Sequence, residues 1–298
     1  MDKPNSDQSA IQNPKSKIQN ETALSRITPN VVAYAATLVK TGHVFDLGAE
    51  LSDDMPSTDK NVFMPYRLLT YRSSRDFGRQ LGVAGVSFYT EVLMATPHVS
   101  THIDALNHVS KDGRIFGGHL SENVEHDFGV SEASIETVPP IVTRGVLLDV
   151  AAFKGVERLG DHYEITPDDI KGTIAHQDTR LAVGDAVLVH TGKMSQYAVD
   201  NEAFLAGQPG VGLEAALWLY DRGMAVLGSD TTGTEPQPVT DWEHTVHVAM
   251  LMERGVHLIE WMSLGPLAQA RAYEFMFVCL PLKLRGASGS WVRPAAIT

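Results

Sequence analysis

Residues 185–230 decide the fold. They open with DAVLVHTG (185–192), close with MAVLGSD (224–230), and carry LEAALWLYDRG (213–223) between the two. The flanking runs are short and apolar, and each ends in a polar residue, His190 and Asp230, which reads as a central strand reaching a sheet edge. In the middle segment the apolar residues recur at helical spacing and Gly223 fits a helix C-cap. The result is a strand–helix–strand unit. Upstream, GVLLDV (145–150) is a third run of the same kind, with Asp149 at its polar end. Downstream, HTVHVAMLMERG (244–255) reads as a helix up to Gly255, and VHLIEW (256–261) as a short strand ending near Glu260.

Further out, YEFMFVCLPLKLRGASGSWVRPAAIT (273–298) looks strand-rich with turns at its glycines, and VVAYAATLVKTGHVFDLG (31–48) reads as a helix stopping at Gly42 before a strand with Val44 and Phe45. There is no internal repeat and no mid-chain linker. These elements predict one α/β domain with mixed strands over 30–298. Residues 1–29 are rich in Asn, Gln, Ser and Lys and lack the apolar centre of a signal peptide, so they are expected to be a flexible N-terminal arm.

Composition narrows the function. The 298 residues are 43% hydrophobic, enough for a substantial core, and carry a formal net charge of -12. With no dense Lys/Arg run, this balance argues against nucleic acid or an anionic membrane surface as partner, and leaves small molecules. No apolar run reaches the roughly 18 residues needed to span a bilayer. The single cysteine, Cys279, stands in an apolar strand-like run and is expected to be buried and inert. A cytoplasmic location is the expectation.

The chemistry concentrates in HVSTHIDALNH, residues 98–108. His98, His102, Asp104 and His108 share one parity, so on a strand they share one face. A helix would align His98 with His102 but turn Asp104 about 200° away from His102. The β-branched Val99, Thr101 and Ile103 also favour a strand. Because ALNH followed by KDG has turn character, His108 is expected beyond the strand end. His98, His102 and Asp104 are therefore candidate ligands of a divalent metal, with His108 free to move protons. Zn, Mn and Fe(II) all suit two imidazoles and a carboxylate. Other histidines, His43, His119, His126, His162 and His176, stand alone or beside acids and read as solvated surface.

The eleven residues resemble the signature H-x-G-T-H-x-D-x-P-x-H of the cyclase-like metal-dependent hydrolase family, which includes bacterial kynurenine formamidase and isatin hydrolase. Its four chemical positions are His98, His102, Asp104 and His108, while Ser100 replaces the glycine and Leu106 the proline. A DAL-x-H ending is similar to the longer branch with isatin hydrolase, and the similarity spans roughly residues 31 to 298. The resemblance implies a single swivelling β/β/α domain, a homodimer or larger homo-oligomer, and a bound Zn or Mn. It also implies that His247 and Glu260, otherwise unremarkable, sit by the metal and bind a second ion or orient water. The activity implied is opening of an isatin-like lactam, a formamide or a lactone to a carboxylate, with His108, His247 and Glu260 as the catalytic candidates. Asp230 is a candidate pocket residue, and Phe77, Phe88, Trp218, Trp242 and Trp261 belong to core or pocket. Two other readings stay open: a non-haem Fe(II) oxygenase using His102, Asp104 and a distant histidine, and a catalytically silent metal-binding protein.

Overall fold

A computed structural model of the chain describes residues 21–58, 62–75 and 86–298. In chain order its strands are β1 (Val44–Asp46), β2 (Arg67–Arg72), β3 (Thr90–Met94), β4 (His102–Asp104), β5 (Glu125–His126), β6 (Gly129–Val130), β7 (Ile141–Asp149), β8 (Glu164–Ile165), β9 (Ala186–His190), β10 (Gly210–Val211), β11 (Val226–Ser229), β12 (His257–Glu260), β13 (Glu274–Cys279), β14 (Gly289–Trp291) and β15 (Ala295–Ile297). Nine of these form one mixed sheet in the order β1-β15-β13-β7-β9-β11-β12-β4-β14. Its centre, β7, β9, β11 and β12, is parallel, and antiparallel strands extend it on both sides.

The apolar runs are continuous because both faces of this centre are covered. Val146, Leu148, Val187, Val189, Leu227 and Leu258 point to one face. There they meet side chains of the helices Pro167–His176 and Leu213–Asp221 and of the segment around Met250. Leu147, Ala186, Leu188, Val226 and Ile259, of opposite parity, pack on the other face with Phe275 and Phe277. Each of the fully buried Val, Leu, Ile and Phe side chains among these contributes roughly 1.5–3 kcal/mol relative to exposure. Gly223 and Gly255 stop their helices as expected, at φ +92° and +63°, the left-handed region that glycine enters without strain.

Three expectations change in detail. The helix expected up to Gly42 is shorter, Pro29–Ala36, capped by the Thr28 side chain with proline in its first turn. Helix 246–254 is not regular: Val248–Met252 is a π turn immediately after His247. At the N-terminus, residues 1–20 of the expected arm lie outside the described residues. Ala23–Arg26 form a 3-10 turn in which Ala23 and Leu24 are buried, and Ala23 N–H donates to the Gly255 carbonyl at 2.9 Å. Among the described residues no helix is long and apolar enough to cross a membrane.

Candidate metal centre

His102 and Asp104 lie on one face of β4, as their parity requires, and both are buried. Glu260 on β12 is the register partner of His102. Directly opposed residues of an antiparallel pair project to the same side, so the sheet itself brings this carboxylate to the imidazole. The strand does not extend back to His98, contrary to the parity argument. Residues 97–101 form a turn, with Ser100 at φ +57°. That left-handed residue folds the chain back and sets His98 Nδ1 2.9 Å from Asp104 Oδ1. Left-handed backbone costs a non-glycine residue roughly 1–2 kcal/mol. The strain accounts for a glycine at this position in the motif that the chain resembles. Here the Ser100 hydroxyl donates to the Ala49 carbonyl at 3.2 Å, and its own carbonyl accepts from His102 Nδ1 at 2.8 Å.

His108 follows a tight turn closed by its N–H on the Ala105 carbonyl, and its ring stacks on His98 with centroids 3.9 Å apart. It therefore stands beyond the strand end, as expected, and against the cluster. His247 enters from the start of helix 246–254, its Nε2 lying 3.6 Å from Asp104 Oδ2 and 3.4 Å from Glu260 Oε1. His102 Nε2 is 3.5 Å from Asp104 Oδ1 and 3.6 Å from Glu260 Oε2. All six residues singled out in the sequence thus converge. Two overlapping sets have ligand atoms within 4.8 Å of one another: His98, Asp104 and His108, and His102, Asp104 and Glu260.

The spacings of 3.4–3.6 Å are too long for good hydrogen bonds. They match the edge of a tetrahedron of ligands about 2.1 Å from a central ion, which is about 3.4 Å. Asp104 Oδ2 is fully buried and accepts no hydrogen bond, an expensive state for a carboxylate unless a cation completes it. Among the described residues no Lys or Arg pairs with the buried acids Asp104, Glu235 and Glu260; their ionic neighbours are histidines. The residues fit a divalent cation.

Titration follows from the same imbalance. Burial works against a charged His247, but Glu235, Glu260 and Asp104 outweigh it and carry its pKa up to about 10. That imidazolium is shared among several carboxylates. Burial therefore lifts Glu260 to about 7, with His247 and His102 opposing only in part. Burial also favours the neutral form of Asp104, but His108, His102 and His98 outweigh it and hold the carboxyl well below its usual range. Burial takes His108 down to about 3, leaving a neutral imidazole.

Outer groups hold the inner ones. His247 Nδ1–H donates to Glu235 Oε2 at 2.7 Å, and Glu260 Oε1 accepts from Thr234 N–H at 2.8 Å and its hydroxyl at 3.1 Å. His98 Nε2 meets Ser288 Oγ at 2.8 Å. Gly289 leaves room for that ring, because a Cβ there would sit 2.7 Å from His98 Cε1 and 3.0 Å from the Ile103 carbonyl oxygen. Sequence reasoning missed Glu235, Ser288 and Gly289; no local pattern marks them. The cluster opens into a cavity of about 460 Å³ walled by Phe63, Gln237, Trp242, Val248 and Trp261. Trp242 and Trp261 thus line the pocket, Trp218 packs beneath Arg222, and Phe88 is about half exposed. Phe77 lies outside the described residues. Asp230 is not in the wall: it is buried and accepts from Thr191 N–H and hydroxyl and from Gly192 N–H at 2.7–2.8 Å, fastening the turn after β9. Of the five histidines read as surface, all are exposed or nearly half exposed. Cys279 is buried and its thiol pKa is pushed up by burial, as an inert thiol should be.

The Cyclase family model matches residues 45–236, about two thirds of the chain and including the whole 98–108 motif. The chain belongs to the Cyclase family. A structure described as a novel cyclase superimposes on this cyclase-family chain with TM-score 0.84 and 26% identity, covering 93% of this chain and 95% of the other. Isatin hydrolase A from Ralstonia solanacearum gives TM-score 0.65 at 22% identity, covering 90% and 97%. An isatin hydrolase bound to the product analogue thioisatinate gives 0.63 at 18% identity, covering 93% and 99%. The last two likenesses concern the fold. A search of curated proteins returned no match.

Proposed function

We propose that this cyclase-family protein is a metal-dependent hydrolase that opens a small acyl substrate, an isatin-like lactam, a formamide or a lactone, to a carboxylate. The observation that carries the reading is the buried, unpartnered Asp104 Oδ2 inside a ring of ligand atoms at metal-site spacing. His98, His102 and Asp104 would hold the ion, with Glu260 and His247 facing the same space. A divalent cation there, Zn or Mn by ligand chemistry, supplies Lewis-acid polarisation of a carbonyl and a water acidified to near neutrality.

The chain's own groups do the rest. His108, neutral and beside His98, accepts a hydrogen bond that orients the attacking water, and Glu260, whose pKa burial lifts to about 7, takes the proton and returns it to the leaving nitrogen or oxygen as the C–N or C–O bond breaks. Glu235 fixes the tautomer and direction of His247, as a carboxylate behind a ligand imidazole does. Phe63, Val248 and Trp261 give the cavity apolar walls for a flat, neutral substrate. The isatin hydrolases of the same fold support the lactam among the three acyl classes.

The test is elemental analysis of the purified protein, followed by assay with isatin, N-formyl aromatic amines and simple lactones, with and without chelator, under nitrogen and in air. Chelator-sensitive, oxygen-independent release of a carboxylate is expected. Metal bound without turnover on any class would sink the hydrolase reading, and oxygen consumption would point to an oxygenase.

A further inference from the structure

Two residues beside the candidate ligands hold a backbone conformation that their side chains disfavour. Ser100, between His98 and His102, has φ +57°, and Trp261, next to Glu260, has φ +56°. A residue with a Cβ, and above all one as bulky as tryptophan, stays in the left-handed region only where its surroundings over-determine it. Both residues are buried, so protein contacts rather than solvent hold them there.

The two turns are tied to each other and to a third segment. The Thr101 hydroxyl donates to the Trp261 carbonyl at 2.6 Å, and the same oxygen accepts from Ala49 N–H at 2.7 Å. The Ser100 hydroxyl donates to the Ala49 carbonyl at 3.2 Å. Ala49 thus acts as a strut, engaging Thr101 with its N–H and Ser100 with its carbonyl. Residues 48–51 belong to no strand or helix, so the strut needs an anchor of its own. Tyr197 supplies it. Its hydroxyl donates to the Glu50 carbonyl at 2.6 Å, and the phenol oxygen stands 3.5 Å from Ser100 Oγ. Its ring meets Trp261 and Phe204 edge-on, with centroids 5.9 and 5.8 Å away, an arrangement that aromatic pairs favour. One tyrosine therefore reaches both left-handed turns, one through the strut and one through its ring.

We propose that Tyr197 is a positioning residue for the metal centre: through the Glu50 carbonyl and Ala49 it holds Ser100 in the left-handed turn that brings His98 to Asp104. The inference rests on the metal-dependent reading above. A glycine, as in the motif that the chain resembles, enters such a turn without strain, whereas the serine that stands here needs the turn held from outside. Tyr197 touches neither ion nor substrate; it acts through Ser100 on His98. Without the phenol hydroxyl the strut loses its anchor, and in the metal-free protein the turn relaxes toward negative φ in most molecules. Only the remainder presents His98 beside Asp104, so the apparent affinity for the ion falls by that fraction. Once bound, the ion itself enforces the turn, and the loaded site is unchanged.

The test is calorimetric titration of the chelator-stripped full chain with Zn, comparing wild type, Tyr197→Phe, Ser100→Gly and the double variant. Tyr197→Phe keeps the ring on Trp261 and Phe204, and Asn201 Nδ2–H still donates to the Asp54 carbonyl at 2.7 Å, tying down the chain beyond the strut. Circular dichroism and metal-free melting should therefore match wild type. The affinity of Tyr197→Phe for Zn should fall by about 10-fold, the scale on which groups behind metal ligands act. In the Ser100→Gly background the same substitution should cost less than about 3-fold, because glycine populates the left-handed region about as readily as the right-handed one. A packing role alone would be indifferent to residue 100 and give equal losses in both backgrounds. Equal losses overturn the proposal, and so does a Tyr197→Phe protein that binds Zn like wild type. A wild type that binds no Zn overturns the metal-centre reading and the proposal with it, so the wild-type titration tells the two failures apart.

Discussion

Replacing Glu260 with glutamine should make the metal-free protein more stable and the metal-loaded protein less so. Without an ion, Glu260 is one buried acid too many: it is 3% exposed, and burial lifts its pKa to about 7. At about 1.4 kcal/mol per pH unit, its ionised form costs up to roughly 3 kcal/mol, and 1–3 kcal/mol is a fair range for a group in a shared cluster. The sign follows from linkage. The folded state favours protonated Glu260, so the stabilising contribution is complete below pH ~4.5 and is lost as pH rises through about 7. Glutamine stays neutral throughout. It also keeps an acceptor for Thr234 N–H and hydroxyl, and its amide can donate to His102 Nε2, which is free to accept because Nδ1–H is engaged by the Ser100 carbonyl. With an unfolding entropy of ~2.1 cal/mol/K per residue, the gain corresponds to a rise in Tm of roughly 2–5 °C. With Zn or Mn present the order should reverse, because the carboxylate then faces a dication. Thermal melts of both proteins at about pH 8, with chelator and with added metal, decide it. A metal-free Glu260→Gln protein that melts below metal-free wild type would refute the argument that this buried charge is held for an ion.

Other substitutions separate holding a metal from using it. His102→Ala should leave the purified protein without bound metal by elemental analysis, whereas His108→Ala should keep it and lower kcat/KM by about 100-fold or more. Loss of metal from the His108 variant would instead make that residue a ligand, consistent with its 4.8 Å grouping with His98 and Asp104. Glu235→Gln should weaken metal affinity or activity by about 10–100-fold by replacing the charged acceptor of His247 Nδ1–H with a weaker neutral one, with little change in melting; an unchanged metal titration and unchanged rate would dismiss the positioning role. Gly289→Ala should displace His98, because the new methyl would meet Cε1 at 2.7 Å. Calorimetric metal titration should show an affinity loss on the same scale, about 10–100-fold, while circular dichroism stays unchanged.

What was legible in the sequence, and what was not, follows from the range of the interactions. GVLLDV, DAVLVHTG, MAVLGSD and VHLIEW could be read as strands because burial on both faces leaves a local mark, an unbroken apolar run, and Gly223 and Gly255 could be read as helix ends because positive φ leaves another. Parity placed His102 and Asp104 together correctly, since it is a property of the strand they occupy. The same rule extended to His98 reached a sound partnership for an unsound reason. A left-handed residue at Ser100, not a longer strand, returns His98 to Asp104, and a serine carries no sign that it will adopt that conformation. Glu235, Ser288 and Gly289 act only through contacts 12 to 191 residues away in sequence, with His247 and His98. No periodicity records such contacts. Glu260 and His247 were reached through the family resemblance rather than through their neighbours. The register of β12 against β4 then shows why the glutamate must stand where it does: with β12 slipped by one residue, Glu260 would point to the opposite face and Asp104 would be left without its second carboxylate.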